Sequence, residues 1–364
     1  MLTKSYYPKK KNNTFKYILI ILALIGIALL FSPIKQQITK YSCYIKPTKT
    51  SVKIEQTIYI QIEKGADLKT IINTLVSNNV LPADLEDKFV CTVKKNKLYP
   101  QFKAGYFVFK PNTYTLLDIA NRLTRPNPAI VRVTIPEGLR YDQIANILGE
   151  KFKDIKDSKF SKQKFLELVS NPNLFKQEFT FLEQIKPINL EGFLYPATYN
   201  FLFNISEQQI IEQMLQAYQD YNHTLIKTSP HPLNLNDYQV LILASIIERE
   251  ATGDLIEKQN IADILLKRLK ANYPLQVDAT LLYPQKDWTA TITNQHKQQN
   301  SAYNTYKNIG LPPTPISNPG KDSVYAVLNP ITNPYWYYIH GKDGKVHYAK
   351  TYSEHLQNIR LFLY

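Results

Sequence analysis

The chain of 364 residues is predicted to be an α+β protein with an N-terminal transmembrane helix. Three observations carry that prediction. Residues 17–31 read YILIILALIGIALLF, without a single charge. Short alternating runs such as Ile58-Tyr59-Ile60-Gln61-Ile62 carry the period-two pattern of half-buried strands. Between them lie longer stretches with apolar residues three and four apart, the pattern of helices that bury one face.

Residues 1–16 hold Lys4, Lys9, Lys10, Lys11 and Lys16 and no acid, so this end is expected to stay in the cytoplasm. Residues 17–34 supply most of the roughly 20 residues that a bilayer-spanning helix needs. No small-x-small cleavage site follows, which favours an uncleaved single-pass anchor over a removed signal peptide. Everything after it is then expected on the far side of the membrane. Residues 35–56 read as a polar, lysine-containing linker.

Residues 57–125 read as a small α+β module. A strand at 58–62 precedes a helix at 66–78, opened by Gly65 or Asp67. A second helix covers 85–95. Phe102 to Phe109 is a turn leading into a strand, and Leu116, Ile119, Ala120 and Leu123 share one face of a helix at 115–123.

Residues 126–364 read as a larger mixed α+β domain. A strand at 129–135 turns at Pro136-Glu137-Gly138. Helices follow at 141–148, 161–169, 205–218, 236–250 and 257–271. Leu190 to Tyr199 is rich in aromatics beside Glu191. From 273 to 283, Gln276, Asp278 and Thr280 alternate with apolar residues, which places three polar groups on one side if the segment is extended. The proline-rich stretch from Gly310 to Gly320 can be neither helix nor central strand and reads as a rigid loop. A short helix at 323–328, a hairpin joined through Gly341-Lys342-Asp343-Gly344, and a helix at 351–363 complete the chain.

The formal charge of +14 points to a polyanionic partner or an anionic membrane surface. No zinc-finger spacing, RNP-like motif or arginine-rich stripe accompanies it, so nucleic acid is not expected. Cys43 and Cys91 lack metal or redox spacing. The six histidines show no ligand spacing, and His347 and His355 read as polar groups near the C-terminal hairpin and helix. No metal and no cofactor are expected.

The stretch Leu241-Ile242-Leu243-Ala244-Ser245-Ile246-Ile247-Glu248-Arg249-Glu250 organises the rest. Its apolar run reads as a buried helix. Glu248 continues the face of Ala244 and Ser245, whereas Glu250 points elsewhere. A carboxyl group in apolar surroundings keeps its proton closer to neutral pH, as a general acid needs. The competing reading is that Glu248 pairs with a buried arginine or caps a loop.

Taken together, Phe102-Lys103-Ala104-Gly105-Tyr106, Pro136-Glu137-Gly138, Glu191-Gly192-Phe193-Leu194-Tyr195-Pro196, Ala244 to Glu250, Tyr303-Asn304-Thr305-Tyr306 and Gly310-Leu311-Pro312-Pro313 resemble the MltG/YceG-like family of endolytic murein transglycosylases. The resemblance covers nearly everything after the anchor. It implies a LysM-like module at 57–125 and a YceG-like catalytic domain at 126–364. It also implies an inner-membrane lyase whose catalytic domain faces the periplasmic side. Such an enzyme cuts the β-1,4 bond between N-acetylmuramic acid and N-acetylglucosamine in nascent glycan strands. A 1,6-anhydro-muramyl end is left and elongation stops. Its partners would be glycan strands, the membrane and peptidoglycan synthases.

Glu248 matches the catalytic glutamate. Glu191, Tyr195, Tyr199, Glu250, Gln276, Asp278, Thr280, Tyr303, Asn304 and Tyr306 are the candidates for holding the sugar or orienting Glu248. The sequence departs from the family pattern at Ala197, where an aspartate is usual, and at Val277 and Ala279 around Asp278. Two rival readings stand beside the lyase. One is a non-catalytic wall-binding scaffold. The other is a hydrolase using Glu248 and Asp278 as two carboxylates.

Overall fold

The computed structural model describes residues 50–126, 129–155 and 158–364. The expected anchor, Cys43 and residues 35–49 of the linker lie outside the described residues. Among the described residues no helix is long and apolar enough to cross a membrane. The chain divides into two compact units, before and after the Ala129–Ile130 junction.

The first unit has two antiparallel strand pairs. Strand β1 (Ser51–Ile54) pairs with β4 (Asn112–Thr115), and β2 (Ile58–Ile62) pairs with β3 (Gly105–Phe109), with Ile60 opposite Phe107. Helices α1 (Leu68–Ser77), α2 (Glu86–Lys95) and α3 (Leu116–Leu123) cover them. Both expected helix starts are chemically explained. The Asp67 carboxylate accepts from Thr70 N at 2.7 Å, and Thr115 and Asp118 form a reciprocal capping box. The predicted face of α3 is buried in full, in one core with Ile60, Leu75, Phe89, Val93, Phe107 and Phe109. Each of these large side chains contributes about 1.5–3 kcal/mol by leaving water.

Strand β1 corrects the linker reading. Val52 and Ile54 alternate inward with Ser51 and Lys53 outward, so ordered structure begins inside the 35–56 stretch. The β2–α1 and α2–β3 loops border an open cleft lined by Ile62, Gly65, Tyr99, Phe102 and Lys103.

In the second unit, β5 (Ile130–Thr134) pairs with β6 (Thr198–Leu202), and Val133 lies opposite Tyr199. Helices α4 (Tyr141–Phe152), α5 (Lys162–Val169), α6 (Thr180–Ile185), α7 (Glu207–Tyr218) and α8 (Thr224–Thr228) build one side of the fold. Helix α9 (Asp237–Glu250) runs through the middle. It opens with an Asn236–Gln239 capping box, and every residue from Val240 to Ile247 is buried. It packs in one core with Ile261, Ala262 and Leu265 of α10 (Leu255–Lys270) and Val324 and Val327 of α13 (Lys321–Leu328). Two short helices, α11 (Asp278–Leu282) and α12 (Asn294–Gln298), lie between α10 and α13 in the chain. The predicted hairpin is β7 (Tyr337–His340) and β8 (Val346–Ala349), followed by α14 (Tyr352–Phe362).

The proline-rich stretch is a loop, as its composition requires, and it is pinned to the interior of α9. Ile316 N donates to Ser245 Oγ at 3.0 Å, and Ser317 Oγ donates to the Ser245 carbonyl at 3.0 Å. Gly192 passes under the same loop with φ of +90°. A Cβ there would sit 2.7 Å from the Pro315 side chain, so both its conformation and its space demand glycine.

The extended reading of 273–283 does not hold. Gln276 turns the chain with φ of +53°, and Asp278 then starts helix α11. The helical period sends Thr280 inward while Gln276 and Asp278 stay exposed.

Candidate active site

Glu248 lies in the last turn of α9, where the apolar run ends. Its side chain is 8% exposed. The setting is polar, contrary to the apolar surroundings expected from Ile246 and Ile247. Lys258 Nζ lies 3.3 Å from both carboxylate oxygens. Gly320 N donates to Oε2 at 3.0 Å and Ser323 Oγ donates to the same atom at 2.7 Å. Glu248 thus receives the N-terminus of α13, whose free N–H groups and dipole favour a negative charge. Lys258 is held by α10, on the stripe that also carries Ile261, Ala262 and Leu265.

The Pro136-Glu137-Gly138 turn closes on this group. The Cβ position of Gly138 is 3.5 Å from Glu248 Cγ. The Glu137 carboxyl lies against Gly320, and burial, then the charge of Glu248, push its pKa up. Tyr195 is also close: burial, then Glu137, raise its phenol. Its ring stacks on Tyr221 with centroids 4.9 Å apart, and Tyr221 is exposed. This aromatic pair is a surface on which a sugar ring can lie.

Beside Glu248, Arg249 turns toward the turn and an indole. Its guanidinium is 4.4 Å from the Trp288 ring and donates to the Gly138 carbonyl at 3.4 Å. Arg140 lies 4.8 Å from the same ring, and Trp288 Nε1 donates to Gln143 at 2.9 Å.

Glu250 belongs to a second cluster. Tyr338 OH donates to its Oε2 at 2.7 Å, and burial raises the Glu250 pKa. Asp278 lies within electrostatic reach, and accepts from Tyr306 OH at 2.6 Å. Gln276, on the turn before Asp278, is exposed.

The remaining candidates are inside the protein. Glu191 is fully buried and accepts from Tyr141 N at 3.1 Å, Asn318 Nδ2 at 2.8 Å and Tyr283 OH at 3.2 Å. Burial pushes its carboxyl up to about 8. Asn304 is fully buried and spends its amide on the Lys297 and Gln299 carbonyls and on Tyr306 N. Thr280 is buried against Thr305 Oγ1 at 2.9 Å. Tyr199 donates to the Tyr195 carbonyl at 2.6 Å and stacks on Phe201. Tyr303 bonds Thr314 at 2.8 Å and packs on Tyr283. Glu191, Asn304, Thr280 and Tyr199 therefore have little or no exposed surface. In each case the polar end is already bonded to the fold.

Glu248 and Tyr195 are brought into one neighbourhood, and Glu250, Asp278 and Tyr306 into another. The sequence reading missed Lys258, Ser323, Trp288 and, except as part of a motif, Glu137. A signal existed for Lys258, since a lysine three residues before Ile261 on an apolar stripe needs a buried partner. Among the described residues, no group of three or more His, Cys, Asp or Glu side chains is arranged to hold a metal ion.

Comparison with known proteins agrees with this architecture. The sequence model of the YceG-like family matches residues 60–361. An endolytic murein transglycosylase of Bacillus subtilis (strain 168) is 30% identical over 311 residues, which cover 82% of this chain and 83% of that protein. Its counterpart in Streptococcus pneumoniae (strain ATCC BAA-255 / R6) is 29% identical over 325 residues. That alignment covers 83% of this chain and 58% of the longer streptococcal protein. The crystal structure of a YceG-like protein from Listeria monocytogenes aligns with a TM-score of 0.52 at 30% identity, over 84% of this chain and 99% of that one. With the match running through both units and across Glu248, the chain belongs to the YceG-like family.

Proposed function

We propose that this chain is a peptidoglycan lytic transglycosylase, held in the inner membrane by residues 17–34, that cuts nascent glycan strands and so ends their elongation. The names of the relatives support the reaction class. The observation that carries the residue assignment is Glu248: one carboxylate at the rim of a buried helix, beside an aromatic pair and backed by Lys258 and a helix N-terminus.

Glu248 gives its proton to the glycosidic oxygen as the C1–O bond of the muramyl unit breaks, and the N-acetylglucosamine hydroxyl leaves. Lys258, Ser323 Oγ and Gly320 N stabilise the carboxylate that remains. The muramyl C6 hydroxyl then attacks C1, its proton passes to Glu248, and the 1,6-anhydro ring closes. The acid is restored and no water is consumed. Tyr195 and Tyr221 offer the stacking face, with Asp278 and Tyr306 as candidates further along the strand.

The first unit acts as a LysM-like glycan-binding module through the cleft at Tyr99 and Phe102. The catalytic unit works on the outer side of the membrane, near the synthases that make the strand.

The test is digestion of purified peptidoglycan with the full-length chain, followed by mass spectrometry. Anhydro-muramyl products that vanish in Glu248→Gln support the proposal. Reducing ends would make the enzyme a hydrolase, and strand binding without any cleavage would make it a scaffold.

A further inference from the structure

We propose that Glu137 is a positioning residue for Glu248: wedged against Gly320, its carboxyl makes Glu248 one half of a two-carboxyl site that carries a single proton. This rests on Glu248 being the acid and base of the reaction.

The geometry starts at Gly320. Its φ of −72° and ψ of 173° suit any residue, so conformation does not require a glycine there. Space does. A Cβ on Gly320 would lie 1.8 Å from Glu137 Oε1 and 2.3 Å from Glu137 Cδ. The same residue gives its N–H to Glu248 Oε2 at 3.0 Å. Both carboxyl groups therefore meet at one residue, and a Cβ built on the neighbouring Gly138 would lie 3.5 Å from Glu248 Cγ.

The charges around them do not balance. Glu137 faces Glu248 of α9, Lys258 of α10, Asp322 of α13 and Tyr195 of the loop before β6. Arg249 points to the Gly138 carbonyl and the Trp288 ring. Lys258 and, on the Glu248 side, Arg249 thus stand against three carboxyl groups in a part-buried site. Like charges that meet at one residue do not readily all ionise, which favours the protonated form of Glu137. Burial and the charge of Glu248 both push Glu137 in that direction.

The experiment measures kcat and KM from pH 4.5 to 8.5 on soluble peptidoglycan strands. It compares the full-length protein with Glu137→Gln, Gly320→Ala, Glu137→Ala and the Glu137→Ala/Gly320→Ala double variant. In Glu137→Gln the alkaline limb of kcat should move down by about one pH unit, so that kcat near pH 7.5 falls about tenfold with KM little changed. Gly320→Ala should shift the limb the same way, by displacing Glu137. In the Glu137→Ala background, Gly320→Ala should cost nothing further. An unmoved alkaline limb in Glu137→Gln overturns the proposal, as does a Gly320→Ala loss that persists without Glu137. If a Glu137 variant does not fold, Gly320→Ala alone decides by the same limb. Glu248→Gln separates the two levels: full lyase activity in that variant would remove the acid–base assignment itself.

Discussion

Replacing Glu191 with glutamine tests whether the buried carboxyl under the Pro136-Glu137-Gly138 turn is a proton store or an ion. In the folded chain its pKa stands at about 8, against an ordinary 4.5, because burial outweighs its hydrogen bonds from Tyr283 and Tyr141 N–H. Between those values the folded state binds a proton that the unfolded chain has lost. The stabilisation is therefore complete below the unfolded value and drains away as pH rises toward 8. Each pH unit inside the window removes roughly 1 kcal/mol, and the whole window a few kcal/mol. Glutamine keeps the shape and stays neutral. Its carbonyl can accept from Tyr141 N and Asn318, and its amide can donate to the Tyr283 phenol oxygen. Urea unfolding at pH 5, 6, 7 and 8 should show wild type losing stability steadily. Glu191→Gln should stay nearly flat, matching wild type within about 1 kcal/mol at pH 5 and exceeding it by about 3 kcal/mol at pH 8. Parallel pH curves for the two proteins would refute the reasoning, since the titrating group would then lie elsewhere.

Three further outcomes follow from contacts already described. Gly192→Ala forces a side chain into a left-handed backbone and against Pro315, and should cost about 2–4 kcal/mol; a loss under about 1 kcal/mol by urea titration would show that the loop yields. Ser245→Ala strips the buried Ile316 N–H of its acceptor and should cost about 1–3 kcal/mol, with activity falling because the proline-rich loop loosens. Lys258→Met leaves Glu248 without its cation and should lower both stability and kcat. Adding Glu248→Gln to it should recover most of the lost stability, and full additivity of the two in melting experiments would deny that they interact.

What could be read from the sequence was what depends on near neighbours in the chain. The apolar run places α9 to within a residue. The shared face of Leu116, Ile119, Ala120 and Leu123 does the same for α3. The expected Glu250 divergence from Glu248 also follows from helical period alone. The four-residue β1 was lost inside a lysine-bearing stretch because two inward residues are too few to show alternation. Strand β6 was hidden by the aromatic density of Leu190 to Tyr199, in which packing and strand residues look alike. Thr280 and Asn304 look like ligands in the sequence because they are polar residues near a motif, and the structure buries both among local hydrogen bonds. The partners of Glu248 were illegible for another reason. Lys258 is ten residues away, and Ser323 and Gly320 more than seventy, so only the packing of α9, α10 and α13 brings them together.

That packing makes α9 the common reference for elements that otherwise do not share a segment. Within its C-terminal half, Ser245 holds the proline-rich loop, Glu248 receives the start of α13, and Glu250 takes the Tyr338 hydroxyl of β7. Ser245 and Glu248, three residues apart, share one face of the helix and Glu250 points elsewhere, so one buried helix positions the loop with α13 on one side and the hairpin on another. The loop and α13 are themselves contiguous in the chain, running from Pro315 through Gly320 to Ser323. A slack Ser245 contact is therefore transmitted along that short path to the two groups that hold the Glu248 carboxylate. If Glu248 is the acid and base proposed above, its placement depends on the buried Ser245, and Ser245→Ala should then lower kcat as well as the melting temperature.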